Sequence, residues 1–274
     1  MSAVDYEAEY NNRARVPDHP AVIEGWLRDS AAYRTQARSL HETIPYGPSE
    51  RQAIELFRAP EKRATATALF IHGGYWQALD RSAFSHMARG LNAHGVDVAI
   101  PGYDLAPQVR VGDIVEQMRQ ACLRLGESGP LVVTGHSAGG HLAACMLATD
   151  WASLGARPDL VPSAYAISGL FDLDPLRHTY VNDALGMNEA EAQRLSPLLW
   201  PAPKGRLLDA VVGGDESGEY LRQSRSIAQA WGAGGAETRF EALPGLNHFT
   251  VILPLAHPDS GMTRRVAELA HAAR

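Results

Sequence analysis

Short apolar runs alternate with amphipathic stretches along most of the chain, and that alternation predicts its elements. Residues 41–46 and 53–57 read as strands joined by a turn at Gly47-Pro48-Ser49. Residues 64–71 form a more apolar strand that runs into His72-Gly73-Gly74-Tyr75-Trp76. Residues 95–101, 130–134, 160–168, 207–212 and 238–243 supply further strands. Helical spacing appears in 82–93, 114–125, 138–149, 220–231 and 262–273. It appears also in 21–40, where Val22, Ile23, Trp26, Leu27 and Ala31 share a face. That helix precedes the first strand and is expected at the periphery.

Strands that alternate with helices imply a mostly parallel sheet of about eight strands, covered on both faces by helices. In such sheets ligands bind beyond the carboxyl ends of the strands. Two regions fall outside the rhythm. Residues 1–19 are polar and are expected to form an irregular arm, which with the following helix gives an N-terminal unit over 1–40. Residues 170–205, rich in Leu, Pro and Asp, are expected to be an insertion that covers the site as a cap or lid. The whole of 1–274 is read as one domain, since this length suits a single large α/β unit.

Composition narrows the function classes. A net charge of −6 without a basic block argues against a nucleic-acid partner. No stretch has the apolar length of a membrane span, and residues 1–16 lack the apolar core of a signal peptide. The two cysteines, Cys122 and Cys145, sit in apolar helical patterns without a Cys-x-x-Cys spacing. They read as reduced core thiols, and the expected location is cytoplasmic. No set of His, Cys and carboxylate has metal-ligand spacing, and the glycine-rich turns lack the endings of phosphate or dinucleotide loops. No metal or cofactor is implied. The expected partner is a small-molecule substrate; a homodimer is compatible with the sequence but not dictated by it.

The densest chemical signal is Gly135-His136-Ser137-Ala138-Gly139-Gly140, set between a strand and a small-residue helix. Gly-x-Ser-x-Gly in that context makes a turn so sharp that the neighbours must be nearly free of side chains, and the serine hydroxyl stands exposed at the sheet edge. A hydroxyl is a poor nucleophile and needs a base, and the base needs a group that fixes its tautomer. The chain order Ser, acid, His then places the acid after a late strand and the histidine after the last one. His248 meets the second demand, in Pro244-Gly245-Leu246-Asn247-His248-Phe249. His178, His257 and His271 fit the position less well. For the acid, Asp215 and Glu216 are adjacent after the same strand, and only one can meet His248. Asp is the commoner partner, whereas a Gly-x-x-acid reading from Gly213 selects Glu216.

An oxyanion needs preorganised donors. The N–H of Ala138 is one candidate, and the loop at Gly73 and Gly74 supplies the others. Alone, these glycines would read as an ordinary tight turn. Tyr75, Trp76 and Tyr103 are candidates to wall a substrate pocket, with core packing as the plain alternative. His72, His136 and His141 read as hydrogen-bonded scaffold.

These residues together resemble the α/β-hydrolases, and within them the kynurenine formamidase (arylformamidase) group and its esterase relatives. The match is carried by His72-Gly73-Gly74-Tyr75-Trp76, the Ser137 turn, Glu219-Tyr220-Leu221-Arg222-Gln223-Ser224 and Asn247-His248-Phe249-Thr250. Tyr10-Asn11-Asn12-Arg13 resembles that group's N-terminal arm. The resemblance implies that the acid stands three residues before the Glu219 run, which is Glu216, where many relatives have Asp. It further implies hydrolysis of N-formylkynurenine to kynurenine and formate through an acyl-serine. Carboxylester hydrolysis is the alternative with the same site, and a silent ligand-binding fold is a third.

Overall fold

Strand side chains point alternately to opposite faces, and the sheet of this protein sorts its apolar residues accordingly. The computed structural model describes residues 4–60 and 66–273. Eight strands form one sheet: β1 (His41–Pro45), β2 (Ala53–Phe57), β3 (Ala66–Ile71), β4 (Val96–Pro101), β5 (Leu131–His136), β6 (Ser163–Ile167), β7 (Leu207–Gly213) and β8 (Glu237–Leu243). Their spatial order is β1-β2-β4-β3-β5-β6-β7-β8. The β1–β2 and β2–β4 pairs are antiparallel, and every later pair is parallel. Residues Ala64 and Thr65, expected in β3, lie outside the described residues. Strand β6 starts later than its apolar run, because Pro162 has no N–H to give to a ladder.

The helices are α1 (Tyr6–Tyr10), α2 (Asn12–Arg15), α3 (His19–Gln36), α4 (Ala88–Asn92), α5 (Val111–Gly126), α6 (Ala138–Ala148), α7 (Asn182–Leu185), α8 (Glu189–Leu195), α9 (Gly218–Ala233) and α10 (Gly261–Ala272). On one face Leu69, Ile71, Val133, Ala166 and Val212 pack with α5, α6 and α9. On the other, Phe70, Val98, Val132, Ile167 and Val211 pack with α3, α4 and α10. Expected helix 82–93 splits into a tight 3-10 stretch, Arg81–Met87, followed by α4. Cys122 and Cys145 are buried and unpaired. Among the described residues no helix is long and apolar enough to cross a membrane.

The two arrhythmic regions are more ordered than their composition suggests. The N-terminal arm is not irregular: short helices α1 and α2 are each started by a side chain, Asp5 accepting from the Ala8 N–H and Asn11 from the Ala14 N–H. Segment 170–205 folds into α7, α8 and 3-10 turns at Asp174–His178 and Pro197–Leu199. Its Leu170, Phe171, Leu176, Leu185 and Leu195 are part of the α5–α6 core. The Gln223 side-chain carbonyl accepts the Phe171 and Asp172 N–H groups at 2.6 and 2.7 Å, tying the segment to α9. The segment is therefore packed into the body, and only Tyr180 reaches over the candidate site.

Candidate active site

Ser137 stands alone between β5 and α6, with φ 57° and ψ −117°. A residue with a β-carbon pays for that conformation, so the surrounding chain must hold it there. Its N–H donates to the Ile167 carbonyl at 2.8 Å, and its carbonyl accepts the His141 N–H at 3.1 Å. The close approach explains the flanking glycines. A β-carbon on Gly135 would lie 2.2 Å from the Gly139 carbonyl oxygen, and one on Gly139 would lie 1.9 Å from that of Ile71.

From this turn a line of polar groups runs inward. Ser137 Oγ is 3.1 Å from His248 Nε2, and His248 Nδ1 is 2.6 Å from Glu216 Oε2. His248 lies in the loop after β8, which Asn247 shapes by accepting the Phe249 and Thr250 N–H groups on its side-chain oxygen. Glu216 follows β7 and has no solvent exposure in its side chain. Its other oxygen accepts the Gly213 N–H at 2.8 Å and a short hydroxyl bond from Ser168. Ser168 directly follows β6 in a left-handed conformation, φ 51°. A fully occupied carboxylate against Nδ1 makes that nitrogen the donor, which leaves the Nε2 lone pair facing the serine hydroxyl. Asp215 is exposed, and its N–H is held by the Leu246 carbonyl at 3.1 Å. The choice left open by residue type is settled by geometry: Glu216 meets the imidazole and Asp215 does not.

The loop after β3 crosses beside Ser137. A β-carbon on Gly73 would lie 3.0 Å from that of Ser137. Gly74, Tyr75 and Trp76 follow with φ of 111°, 50° and 58°, a left-handed run that turns the chain sharply over the serine. Ala138 is the first residue of α6, where N–H groups have no partner within the helix and the helix dipole favours negative charge. The serine opens onto a cavity of about 310 Å³. Gly74, Trp26, Leu79 and Phe249 contribute to its walls, and Asn12 and Arg13 of the arm reach it. Asn12 donates to the hydroxyls of Tyr220 at 2.9 Å and Tyr75 at 3.2 Å. The Tyr75 and Tyr220 hydroxyls are 2.8 Å apart, and the Tyr220 ring lies 4.5 Å from the His248 ring. Burial raises the pKa of both phenols, so they remain protonated and able to donate.

A family model for the α/β-hydrolase fold matches residues 68–252. The chain belongs to the α/β-hydrolase family. Among curated proteins, the kynurenine formamidase of Salmo salar is 32% identical to it over 85% of this chain and 84% of its own length. The kynurenine formamidase of Danio rerio is 28% identical, covering 98% and 97% respectively. Among solved structures, a proposed thioesterase from Silicibacter sp. TM1040 superposes with a TM-score of 0.83 at 31% identity, over 96% of this chain and 99% of that one.

In this α/β-hydrolase, Ser137, His248 and Glu216 lie in one hydrogen-bonded line, Gly73 packs beside Ser137, Gly74 lines the same cavity and Ala138 follows the serine in the chain. Of the three aromatic residues expected to wall the pocket, Tyr75 does so. Trp76 does not: it is fully buried, with its ring edge-on to His141 at 5.1 Å. Tyr103 does not either: it stacks on His72 at 4.3 Å and donates to the His72 carbonyl at 2.9 Å, bracing the glycine loop from behind. Successive left-handed residues send Tyr75 and Trp76 to opposite sides, a direction that residue type alone does not encode. His72 and His141 are scaffold, donating to the Gly73 and Leu195 carbonyls at 2.8 Å. Burial lowers the pKa of each to about 4. His136 lines the cavity beside His248, and burial holds its pKa well below the ordinary value. Residues to which the sequence assigned no part in the site are Asn12, Arg13, Trp26, Ser168 and Phe249. Tyr10-Asn11-Asn12-Arg13 was itself the signal for the first two.

Proposed function

We propose that this hydrolase cleaves an N-formyl arylamine, releasing formate, with N-formylkynurenine as the substrate to test first. The Glu216–His248–Ser137 line opening onto the cavity carries the chemistry, and the curated relatives, matched over most of their length, carry the choice of substrate. In the proposed sequence His248 Nε2 takes the hydroxyl proton as Ser137 Oγ attacks the formyl carbon. The N–H groups of Gly73, Gly74 and Ala138 receive the negative oxygen of the tetrahedral intermediate. His248, its positive charge stabilised by Glu216, returns the proton to the departing aryl nitrogen. Water, activated by the same imidazole, attacks the formyl-serine and releases formate and free enzyme. Tyr75 lines the cavity that Ser137 faces, and a wall there suits a small acyl group such as formyl. Buried unpaired thiols fit a reducing compartment, and a cytoplasmic site of action belongs to the same reading.

A second reading, hydrolysis of short-chain acyl or aryl esters, uses the same groups and is favoured by the similarity to the proposed thioesterase. Substrate choice is set by the walls, not by the serine. Turnover of N-formylkynurenine compared with p-nitrophenyl acetate and butyrate separates the two. The formamidase reading expects the higher kcat/KM for formylkynurenine. It fails if formylkynurenine is untouched while butyrate is cleaved well.

A further inference from the structure

The cavity has an electrostatic asymmetry that hydrolysis itself does not use. Arg13 is the one fixed charge among the residues that line it; no Asp, Glu or Lys does so among the described residues. The rest of the wall offers apolar and aromatic surface, from Ile23, Trp26, Leu79 and Phe249, and neutral polar groups. A cation at such a mouth, unmatched by an acid in the wall, favours a ligand that brings its own negative charge.

The backbone that leads to Arg13 is anchored, while its side chain is exposed. Its predecessor Asn12 is buried and donates to Tyr75 and Tyr220. Two residues earlier still, the Tyr10 hydroxyl donates to Glu219 and accepts from Gln223, both at 2.8 Å. Glu9 accepts the Glu219 N–H at 2.9 Å. The backbone that carries Arg13 is thus tied to α9, the helix that follows the Glu216 loop. Tyr180 also lines the cavity, and Glu7 accepts the Tyr180 N–H at 2.8 Å. Burial raises the Tyr180 phenol pKa, the Arg13 guanidinium opposes that rise and Glu7 adds to it. Arg13 and Tyr180 thus line the same cavity.

We propose that Arg13 is a specificity-determining residue that pairs with a carboxylate on the leaving group, so that the cavity selects aromatic substrates bearing a remote acid. This rests on the formamidase reading for the identity of the scissile bond, and N-formylkynurenine, with its α-carboxylate, has the required shape. A guanidinium fork matches a carboxylate in two parallel hydrogen bonds, which a lysine ammonium cannot reproduce.

The test uses two matched pairs: N-formylkynurenine with its carboxamide, and 3-(4-acetoxyphenyl)propionate with its amide. The quantity read is the ratio of kcat/KM for acid over amide, in the wild-type protein, Arg13→Gln and Arg13→Lys. We expect a wild-type preference for the acids. Arg13→Gln should lower the ratio about tenfold, through KM rather than kcat, and Arg13→Lys should keep part of it. Equal ratios in wild type and Arg13→Gln for both pairs would overturn the proposal. If neither formamide is hydrolysed while the esters are, the formamidase reading fails, and the ester pair alone decides the role of Arg13.

Discussion

A single carbon–carbon bond direction decides which of two neighbouring carboxylates serves the imidazole. Asp215 and Glu216 share a loop, but only Glu216 turns inward, where the Gly213 N–H and the Ser168 hydroxyl hold its second oxygen. If it stabilises the imidazolium in the proposed mechanism, Glu216→Gln should lower kcat by about 10³–10⁴-fold on the pattern of triad acids. Asp215→Asn should stay within about twofold, as surface changes away from a site do. Steady-state kinetics on both variants checks this, and the reverse ranking would move the acid to Asp215. At this scale the sequence was most informative where the chemistry constrains order along the chain. Ser137 and His248 are legible because the fold demands a nucleophile turn and a last-loop histidine. Trp76 was not, because left-handed backbone at Tyr75 and Trp76 sets side-chain direction independently of residue type, and Tyr103 was not, because its ring is taken up by stacking on His72, distant in the chain.

The elements around the serine owe their geometry to what is missing from the side chains. Helix α6 approaches β3 so closely that Gly139 nearly touches the Ile71 carbonyl. Gly139→Ala must therefore displace α6 or β3. It is expected to cost at least about 2 kcal/mol, the middle of the overpacking range. Chemical denaturation of the variant measures it; an unchanged midpoint would show that the helix is not pinned there. The strands and long helices were legible from periodicity, because one face of each is buried. Residues 170–205 were not, because short helices interrupted by prolines leave no sustained period. Their Leu and Phe side chains went to the core, where a cap had been expected. Helices α1 and α2 were missed for a related reason: they are short and polar, and their stability comes from hydrogen bonds to distant residues such as Glu219 and Tyr220.

Over the whole molecule, the same sheet that aligns the site buries several neutral histidines. Burial lowers the pKa of His72, His86 and His141 from the ordinary 6.5 to about 4. Between those values the unfolded chain binds protons that the folded protein does not, so stability rises with pH across that window and falls on acidification. The penalty is absent above about pH 7 and no longer grows below about pH 4. The melting temperature is expected to be lower at pH 5 than at pH 7.5, and proton uptake should accompany unfolding at pH 5. No uptake would mean that these rings are protonated in the native state. The proposed mechanism depends on the assembly as a whole, since Ser137, Glu216, His248 and the glycine loop come from the ends of separate strands. The most direct measurement is labelling with a fluorophosphonate, followed by mass spectrometry of the modified peptide. One adduct is expected, on Ser137, absent in Ser137→Ala and formed far more slowly in His248→Ala. A folded protein that stays unlabelled, or is labelled at another residue, would contradict it.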